Sequence, residues 1–305
     1  MSVALLAGGT GGAKMAHGLQ QVLPPGDLSV IVNVADDTEL FGLHVSPDID
    51  SIVYTLAGIL NEETGWGVAG DTWTALDMLG RYGEPTWFRI GDADLATHVR
   101  RSHLLRDGAT LTDATAAMAS ALRVQSRILP ATDDRIRTIL DTDAGTLEFQ
   151  EYFVGRRQEP AVRGVRIEGI GAARPSPAVV EAIREAEAIV LAPSNPLVSI
   201  GPILAIPGVR DAISASAAKR IAVSPIVAGR ALKGPADRML ASLGHETTAV
   251  GVARMYTAVV DTFVLDEADA ALAPSVEGLG MRPLVLPTVM RDHTDRARLA
   301  RALLA

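Results

Sequence analysis

Apolar runs typical of buried strands alternate with helical patterns at both ends of the chain. Val3–Ala7 and the β-branched run Leu28–Val34 predict the first two strands, and a helix is predicted over Asp48–Leu60. Four later strands, separated by helices, are predicted at residues 188–192, 220–224, 259–265 and 283–286. Continuous apolar strands separated by helices indicate a parallel sheet that is covered on both faces.

The middle of the chain, from about Gly65 to Gly171, has a different pattern. Two helices are predicted at Asp92–Arg106 and Thr112–Val124, and the turn at residues 143–145 predicts a β-hairpin. We therefore predict an α/β fold, a Rossmann-like doubly wound parallel sheet with an inserted helical and β-hairpin cap subdomain. Residues 1–60 and 172–305 would form the nucleotide-binding core, and residues 61–171 would form the cap.

A glycine loop, GGTGGAK, follows the first strand and opens a helical pattern. Such a unit binds phosphate, because glycines let the backbone approach closely and the helix N-terminus offers unpaired N–H groups. The dinucleotide pattern would need glycine at Lys14, and the P-loop would need Ser or Thr at Met15. A turn that binds nothing would need fewer than four glycines. The residues predicted to bind a nucleotide or another phosphorylated ligand are Gly8, Gly9, Thr10, Gly11, Gly12 and Lys14.

Four aspartates follow the second predicted strand: Asp36, Asp37, Asp48 and Asp50. Carboxylates beside a phosphate loop would repel the ligand unless a cation lies between them, and Mg²⁺ bridges carboxylates and phosphates in this way. The alternative is helix capping by Asp48 with solvated acids in the loop. We favour Mg²⁺ held by Asp37, Asp48 and Asp50. A carboxylate can also accept the proton of an attacking hydroxyl. For this reason the candidate catalytic residues are Asp50 and Asp37.

A second polar loop follows the predicted strand at residues 188–192 and precedes a helix. Ser194, Asn195 and Ser199 could hydrogen-bond a base or a phosphate, although a rigid turn with a serine cap would use the same residues. Ligands of open α/β sheets lie beyond the carboxyl ends of the strands. We therefore assign these three side chains to the nucleotide side of the predicted site.

Aromatic residues make up only 4% of the chain, yet Trp66, Trp73 and Trp87 all lie in the predicted cap. Flat aromatic side chains over a cleft suit a planar ring ligand, and Arg89 could pair with an acidic edge of that ring. Packing inside the cap is the alternative for Trp73 and Trp87.

Composition narrows the class of protein further. The chain has 305 residues, a formal net charge of -8 and no cysteine. A general nucleic-acid surface is therefore not expected, and thiolate catalysis and cysteine zinc sites are excluded. No apolar run is long enough to span a bilayer, so we expect a cytoplasmic protein with no membrane partner.

With these segments in view, the chain closely resembles the 2-phospho-L-lactate transferase family, which builds the deazaflavin coenzyme F-420. The resemblance runs nearly end to end. Seven segments carry it in order: GGTGGAK (8–14), ADDTELFGLHVSPDID (35–50), GWGVAGDTW (65–73), RIGDADLATHVRRS (89–102), FQEYFV (149–154), APSNPLVSIGPIL (192–204) and SPIVAGRALKGPA (224–236).

The resemblance implies a reaction. The terminal ribityl hydroxyl of Fo (7,8-didemethyl-8-hydroxy-5-deazariboflavin) would attack a guanosine diphospho-linked three-carbon acid and displace GMP. The acid would be 2-phospho-L-lactate, phosphoenolpyruvate or a glycerate phosphate. The resemblance also implies that Asp50 and Arg89 contact Fo and that magnesium is required. We add Trp66 to the acceptor site and expect a homodimer. Ala93 stands where relatives often have arginine, which puts an anion contact there in doubt.

Two other functions would also use a glycine loop after the first strand. A nicotinamide-dependent oxidoreductase is disfavoured by Lys14. A non-catalytic nucleotide-binding regulator of central metabolism could have the same core. The cap with Trp66 and Arg89 argues against the regulator, because a deazaflavin site has no purpose there.

Overall fold

A computed structural model describes residues 1–305, with fourteen strands and twelve α-helices. In chain order the strands are β1 (Val3–Ala7), β2 (Leu28–Val32), β3 (Thr38–Leu40), β4 (Leu43–Val45), β5 (Arg127–Pro130), β6 (Arg137–Thr142), β7 (Gly145–Glu148), β8 (Val162–Glu168), β9 (Ala188–Leu191), β10 (Lys219–Val223), β11 (Ile226–Val227), β12 (Arg230–Ala231), β13 (Thr262–Asp266) and β14 (Arg282–Leu286). The α-helices are α1 (Gly9–Val22), α2 (Pro47–Ala57), α3 (Thr74–Arg81), α4 (Asp92–Arg106), α5 (Leu111–Ala121), α6 (Pro177–Glu185), α7 (Ile200–Ala205), α8 (Val209–Ala215), α9 (Ala236–Ser242), α10 (Ala249–Tyr256), α11 (Ala273–Glu277) and α12 (His293–Leu304). A π-helix at Glu151–Gly155 and a 3₁₀ helix at Glu267–Leu272 complete the chain.

A seven-stranded parallel sheet forms the centre of the molecule, in the order β14-β13-β10-β9-β1-β2-β5. β1, β2, β9 and β13 are buried along their whole length, which is why their sequences are mainly apolar rather than alternating. Helices flank the sheet: α1 packs against α2 and α12, and α6 packs against α8. The predicted doubly wound, Rossmann-like α/β fold is confirmed.

The order of the strands reverses between β1 and β9, which lie side by side at the middle of the sheet. Leu5 of β1 pairs with Val30 of β2 on one side and with Val190 of β9 on the other. The chain therefore leaves β1 and β9 in opposite directions, and a crevice opens between the two loops that follow them. These are the glycine loop and the loop that contains Ser194.

The middle of the chain is divided between the sheet and a separate layer. β6 and β7 form the predicted hairpin, and β8 adds a third antiparallel strand to it. β5, which the sequence pattern did not predict, pairs with β2 at the edge of the central sheet. Residues 127–130 thus belong to the sheet, although they lie inside the segment 61–171. The role of that segment as a cap stays a proposal.

The main hydrophobic core contains 65 buried residues around the central sheet. A second cluster of seven buried residues joins β6, β7 and the π-helix to α9, and it includes Tyr152 and Met239. This second cluster is what fixes the middle layer against the carboxyl half of the chain. No helix combines the length and the apolar character needed to cross a membrane.

Candidate active site

A cavity of about 720 Å³ lies at the carboxyl edge of the central sheet. This volume is typical of small-molecule sites. Its walls come from the loops after β1, β2, β9, β10 and β14, and from the middle of the chain. The predicted site residues that line it are Gly8, Gly9, Thr10, Gly11, Lys14, Asp48, Asp50, Trp66, Arg89, Ser194, Asn195 and Ser199. Gly12 and Asp37 are not among its lining residues.

The glycine loop interlocks with the loop after β9. The hydroxyl of Ser194 donates to the carbonyl of Gly8 at 2.7 Å. A Cβ on Gly11 would lie 2.2 Å from the carbonyl oxygen of Pro193, so only glycine fits there. The glycines therefore serve loop packing as well as ligand access. Because α1 begins at Gly9, the N–H groups of its first turn lack intrahelical partners, and those that follow Gly9 are available to an anion.

Two buried carboxylates lie beside this loop. Asp48, in the first turn of α2, accepts hydrogen bonds from the Gly9 N–H at 2.8 Å and from the Asn33 side chain at 3.0 Å. It does not cap its own helix but ties α2 to the start of α1. Burial raises the pKa of Asp48 to about 6. Burial also raises the pKa of Asp36, and the nearby charge of Asp48 raises it further. One carboxylate oxygen of Asp36 is buried without a hydrogen-bond partner.

Asp36 and its neighbour Asp37 differ in their surroundings. Asp36 lines the cavity. Asp37 accepts hydrogen bonds from the His44 ring at 2.9 Å and from the Ser46 hydroxyl at 2.7 Å. Its carboxylate thus joins β4 to the start of α2. Of these two neighbours, Asp36 lines the cavity with Asp48, whereas the sequence pattern favoured Asp37.

Asp50 belongs to a third buried polar cluster. Both of its carboxylate oxygens accept from the guanidinium of Arg101, which is 0% exposed, and one of these hydrogen bonds measures 3.2 Å. Nδ1 of His98 lies 3.7 Å from Asp50, and Nε2 lies 3.4 Å from Asp94. The hydroxyl of Tyr54 donates to Asp94 at 2.7 Å.

Sequence reasoning missed most of this cluster, although a signal was present. Asp94, His98 and Arg101 stand at i, i+4 and i+7, so they form one polar stripe along α4. All three are buried, whereas Arg100, His103 and Arg106 of the same helix are exposed. A polar stripe that turns inward indicates a site rather than a solvated face.

This cluster could hold a metal ion. Asp50, Asp94 and His98 each offer one ligand atom, and these atoms lie within 4.8 Å of one another. Arg101 competes for the same groups, because it pairs with Asp50 and lies 3.3 Å from Nδ1 of His98. A guanidinium only donates, so Nδ1 accepts and Nε2 carries the proton that faces Asp94.

An aromatic wall forms another part of the cavity lining. Trp66, Trp87 and Phe88 line it. The guanidinium carbon of Arg89 lies 4.1 Å from the centre of the Trp73 ring, and Trp66 meets Trp73 edge to face at 6.1 Å. Trp73 therefore supports both side chains from behind instead of lining the cavity. Arg89 is left with its hydrogen-bond donors free for a ligand.

Cations reach the cavity although the chain is acidic. The ammonium of Lys14 donates to the Met290 carbonyl at 2.8 Å, and that of Lys233 donates to the Thr64 carbonyl at 3.2 Å. Burial, together with the charges of Arg296 and Lys233, lowers the pKa of Lys14. Lys233 lines the cavity, whereas Arg230 does not.

The fold and the cavity define a class: a Rossmann-like α/β protein whose ligand cavity lies where the strand order reverses. Comparison with known families narrows the class. The family model for 2-phospho-L-lactate transferase CofD matches residues 3–277. The chain belongs to this family of transferases.

Individual relatives agree over nearly the whole chain. A phosphoenolpyruvate transferase of Streptomyces griseus is 41% identical over 310 residues, which span 100% of this chain and 98% of the relative. A 2-phospho-L-lactate transferase of Methanosarcina mazei is 38% identical over 296 residues, which span 97% of each. A crystal structure of a UPF0052-family protein from Bacillus halodurans superimposes with a TM-score of 0.65, covering 100% of this chain and 99% of that protein. At 18% identity, this last likeness concerns the fold alone.

Proposed function

We propose that this transferase moves a phospho-linked three-carbon acid from a guanosine diphospho-linked donor to Fo, in coenzyme F-420 biosynthesis. The hydroxyl oxygen of Fo would bond to the phosphorus that carries the acid. The bond from that phosphorus to the bridging oxygen would break, and GMP would leave. One observation carries the proposal: a single cavity joins an anion-binding loop, buried carboxylates and an aromatic wall with a free arginine.

The donor would lie on the side of the two interlocked loops. Backbone N–H groups at the start of α1 and the ammonium of Lys14 would meet the diphosphate. Ser194, Asn195 and Ser199 would border the nucleotide. The Ser194 hydroxyl is already engaged with Gly8, so we assign it to holding the loops together.

Magnesium would complete the donor side. Asp36 and Asp48 both line the cavity, and burial raises the pKa of each carboxyl, which favours a cation between them. Asp37 also has a raised pKa and a buried oxygen without a hydrogen-bond partner, but it does not line the cavity. Mg²⁺ prefers one or two carboxylates together with phosphate oxygens. We therefore propose Asp36 and Asp48 as its ligands in place of Asp37 and Asp50. When bound, the ion would neutralise charge on the diphosphate.

The acceptor would lie between Asp50 and the aromatic wall. Trp66 and Trp87 would stack on the deazaflavin ring, and Arg89 would pair with its acidic edge. Asp50 would accept a hydrogen bond from the ribityl hydroxyl and then its proton. Phosphoryl transfer needs positioning and charge neutralisation more than covalent catalysis by the protein. These contacts would therefore be sufficient for the reaction.

The direct test is turnover. The purified protein is incubated with Fo, Mg²⁺ and, in separate reactions, the lactyl, enolpyruvyl or glyceryl diphosphoguanosine. GMP and the Fo derivative are separated by chromatography. We expect stoichiometric GMP and Fo derivative with one of the three donors, which then identifies the acid. Absence of product with every donor contradicts the proposal.

A pair of adjacent variants tests the metal ligands. Asp36→Asn should reduce turnover by about 10²-fold or more at any Mg²⁺ concentration, because one metal ligand is lost. Asp37→Asn should keep most turnover at saturating substrate and lower the melting temperature, because its hydrogen bonds hold β4 to α2. The turnover of wild type and both variants is measured over a series of Mg²⁺ concentrations. Equal losses in the two variants would contradict the assignment.

A further inference from the structure

The carboxylate of Asp50 reaches the cavity from one side and meets a buried arginine on the other. Asp50 lines the cavity, and Arg101 is not among the lining residues. Arg101 comes from α4 and Asp50 from α2, so their ion pair joins two helices below the cavity floor. A residue in this position cannot touch a ligand, but it can decide where Asp50 points.

The pairing constrains Asp50 at two points. One nitrogen of the guanidinium faces Oδ1 and the other faces Oδ2, so the carboxylate plane is held by a planar fork. Each oxygen keeps a further lone pair for a ligand hydroxyl. Burial of the Asp50 carboxylate without a cation would destabilise the fold. A lysine ammonium in place of Arg101 would supply the charge but not the planar pair of hydrogen bonds.

The guanidinium has further partners besides Asp50. It lies 3.3 Å from Nδ1 of His98 and 3.4 Å from the carbonyl of His44. His98 in turn faces Asp94, which accepts from Tyr54. These contacts restrict the geometry of the buried Arg101–Asp50 pair, whereas an ion pair at the surface would sample several geometries.

We propose that Arg101 is a positioning residue, which sets the orientation of the Asp50 carboxylate toward the hydroxyl of the acceptor. The inference rests on the proposed function, because it takes Fo as the ligand of Asp50. Arg101 makes no contact with the donor side, so its effect should be confined to the acceptor.

A double-mutant cycle separates this role from a general effect on folding. Fo affinity is measured by fluorescence titration in wild type, Arg101→Lys, Asp50→Asn and the double variant. Arg101→Lys should weaken Fo binding about tenfold when Asp50 is present and less than about twofold in the Asp50→Asn background, because coupled residues are not additive. It should also lower kcat while leaving the KM of the donor within about twofold.

The controls make each outcome decisive. Arg100→Lys changes the exposed neighbour on α4 and should leave Fo affinity, kcat and melting temperature unchanged. Guanosine diphosphate affinity reports whether each variant is folded. Should Arg101→Lys not fold, Arg101→Gln, which keeps hydrogen-bond donors at the same position but loses the charge and the planar fork, replaces it in the same cycle.

Three results would overturn the inference. Equal losses of Fo affinity in both backgrounds would mean that Arg101 acts on the fold and not through Asp50. Unchanged affinity and kcat in Arg101→Lys would mean that the fork is not needed. Wild-type protein that binds guanosine diphosphate but not Fo would overturn the proposed function and this inference with it.

Discussion

Arg89 illustrates how a single side chain is prepared for a ligand. Its guanidinium lies over the Trp73 ring, which holds the plane of the group without using its N–H donors. Arg89 is exposed and has no carboxylate partner, in contrast to the buried Arg101. The first arginine is free to bind an anion, and the second is committed to the protein.

Arg89→Lys should weaken Fo binding by about 1–3 kcal/mol, the scale of a charge-assisted hydrogen bond. Lysine keeps the positive charge but cannot copy the planar fork. The affinity for guanosine diphosphate should stay nearly unchanged. Paired titrations of both ligands into wild type and variant measure this, with Arg81→Lys on the exposed face of α3 as the matched control. Equal losses for both ligands would show that Arg89 serves the donor or the fold.

At the scale of elements, the joint between two loops shapes the part of the cavity that we propose for the donor. The loop after β1 and the loop after β9 meet at Gly8, Gly11 and Gly12, each of which would crowd a neighbour if it carried a Cβ. Ser194 and Asp48 add hydrogen bonds across the same joint. The start of α1 is therefore placed by its neighbours and not by the glycine loop alone.

Gly11→Ala should lower the free energy of unfolding by about 1–3 kcal/mol, the usual cost of overpacking, because the added methyl would overlap the Pro193 carbonyl. Guanosine diphosphate should also bind more weakly, since the two loops must separate. Gly171→Ala is the control, because a Cβ there would meet no atom within 4 Å. Urea denaturation of both variants provides the comparison. A Gly11→Ala protein as stable as Gly171→Ala would show that the joint is not closely packed.

At the scale of the whole molecule, the topology collects the site from distant parts of the chain. Parallel strands all end at one edge of the sheet, so residues as far apart as Gly8, Asp36, Ser194 and Met290 line one cavity. The acidic net charge of -8 does not exclude an anionic ligand, because backbone N–H groups and a few local cations are available in the cavity.

Ligands that bind the folded state raise the melting temperature by mass action. Guanosine diphosphate with Mg²⁺ should therefore raise it by several degrees at saturating concentration, and NADH should not. Differential scanning fluorimetry measures both, and EDTA should remove most of the effect of guanosine diphosphate. Stabilisation by NADH alone would favour a nicotinamide-dependent oxidoreductase instead. Stabilisation by guanosine diphosphate without turnover would favour the non-catalytic regulator.

The sequence by itself determined the class of fold, the family and the approximate positions of most core elements. Continuous apolar strands and helical periodicity are local signals, and they predicted α4 at its observed bounds. β5 was missed because four residues after a helix carry little periodic information. Pairing with β2, a contact with a distant segment, is what makes those residues a strand.

Only the tertiary structure decided which polar side chains face the cavity. Asp36 and Asp37 are chemically identical neighbours, and their directions depend on β2, on β4 and on the partners His44 and Ser46. The pairing of Asp50 with Arg101 likewise depends on how α2 and α4 pack. Residue type and spacing predict which chemistry a chain can supply. The direction of each group depends on long-range packing, for which a single sequence holds no local signal.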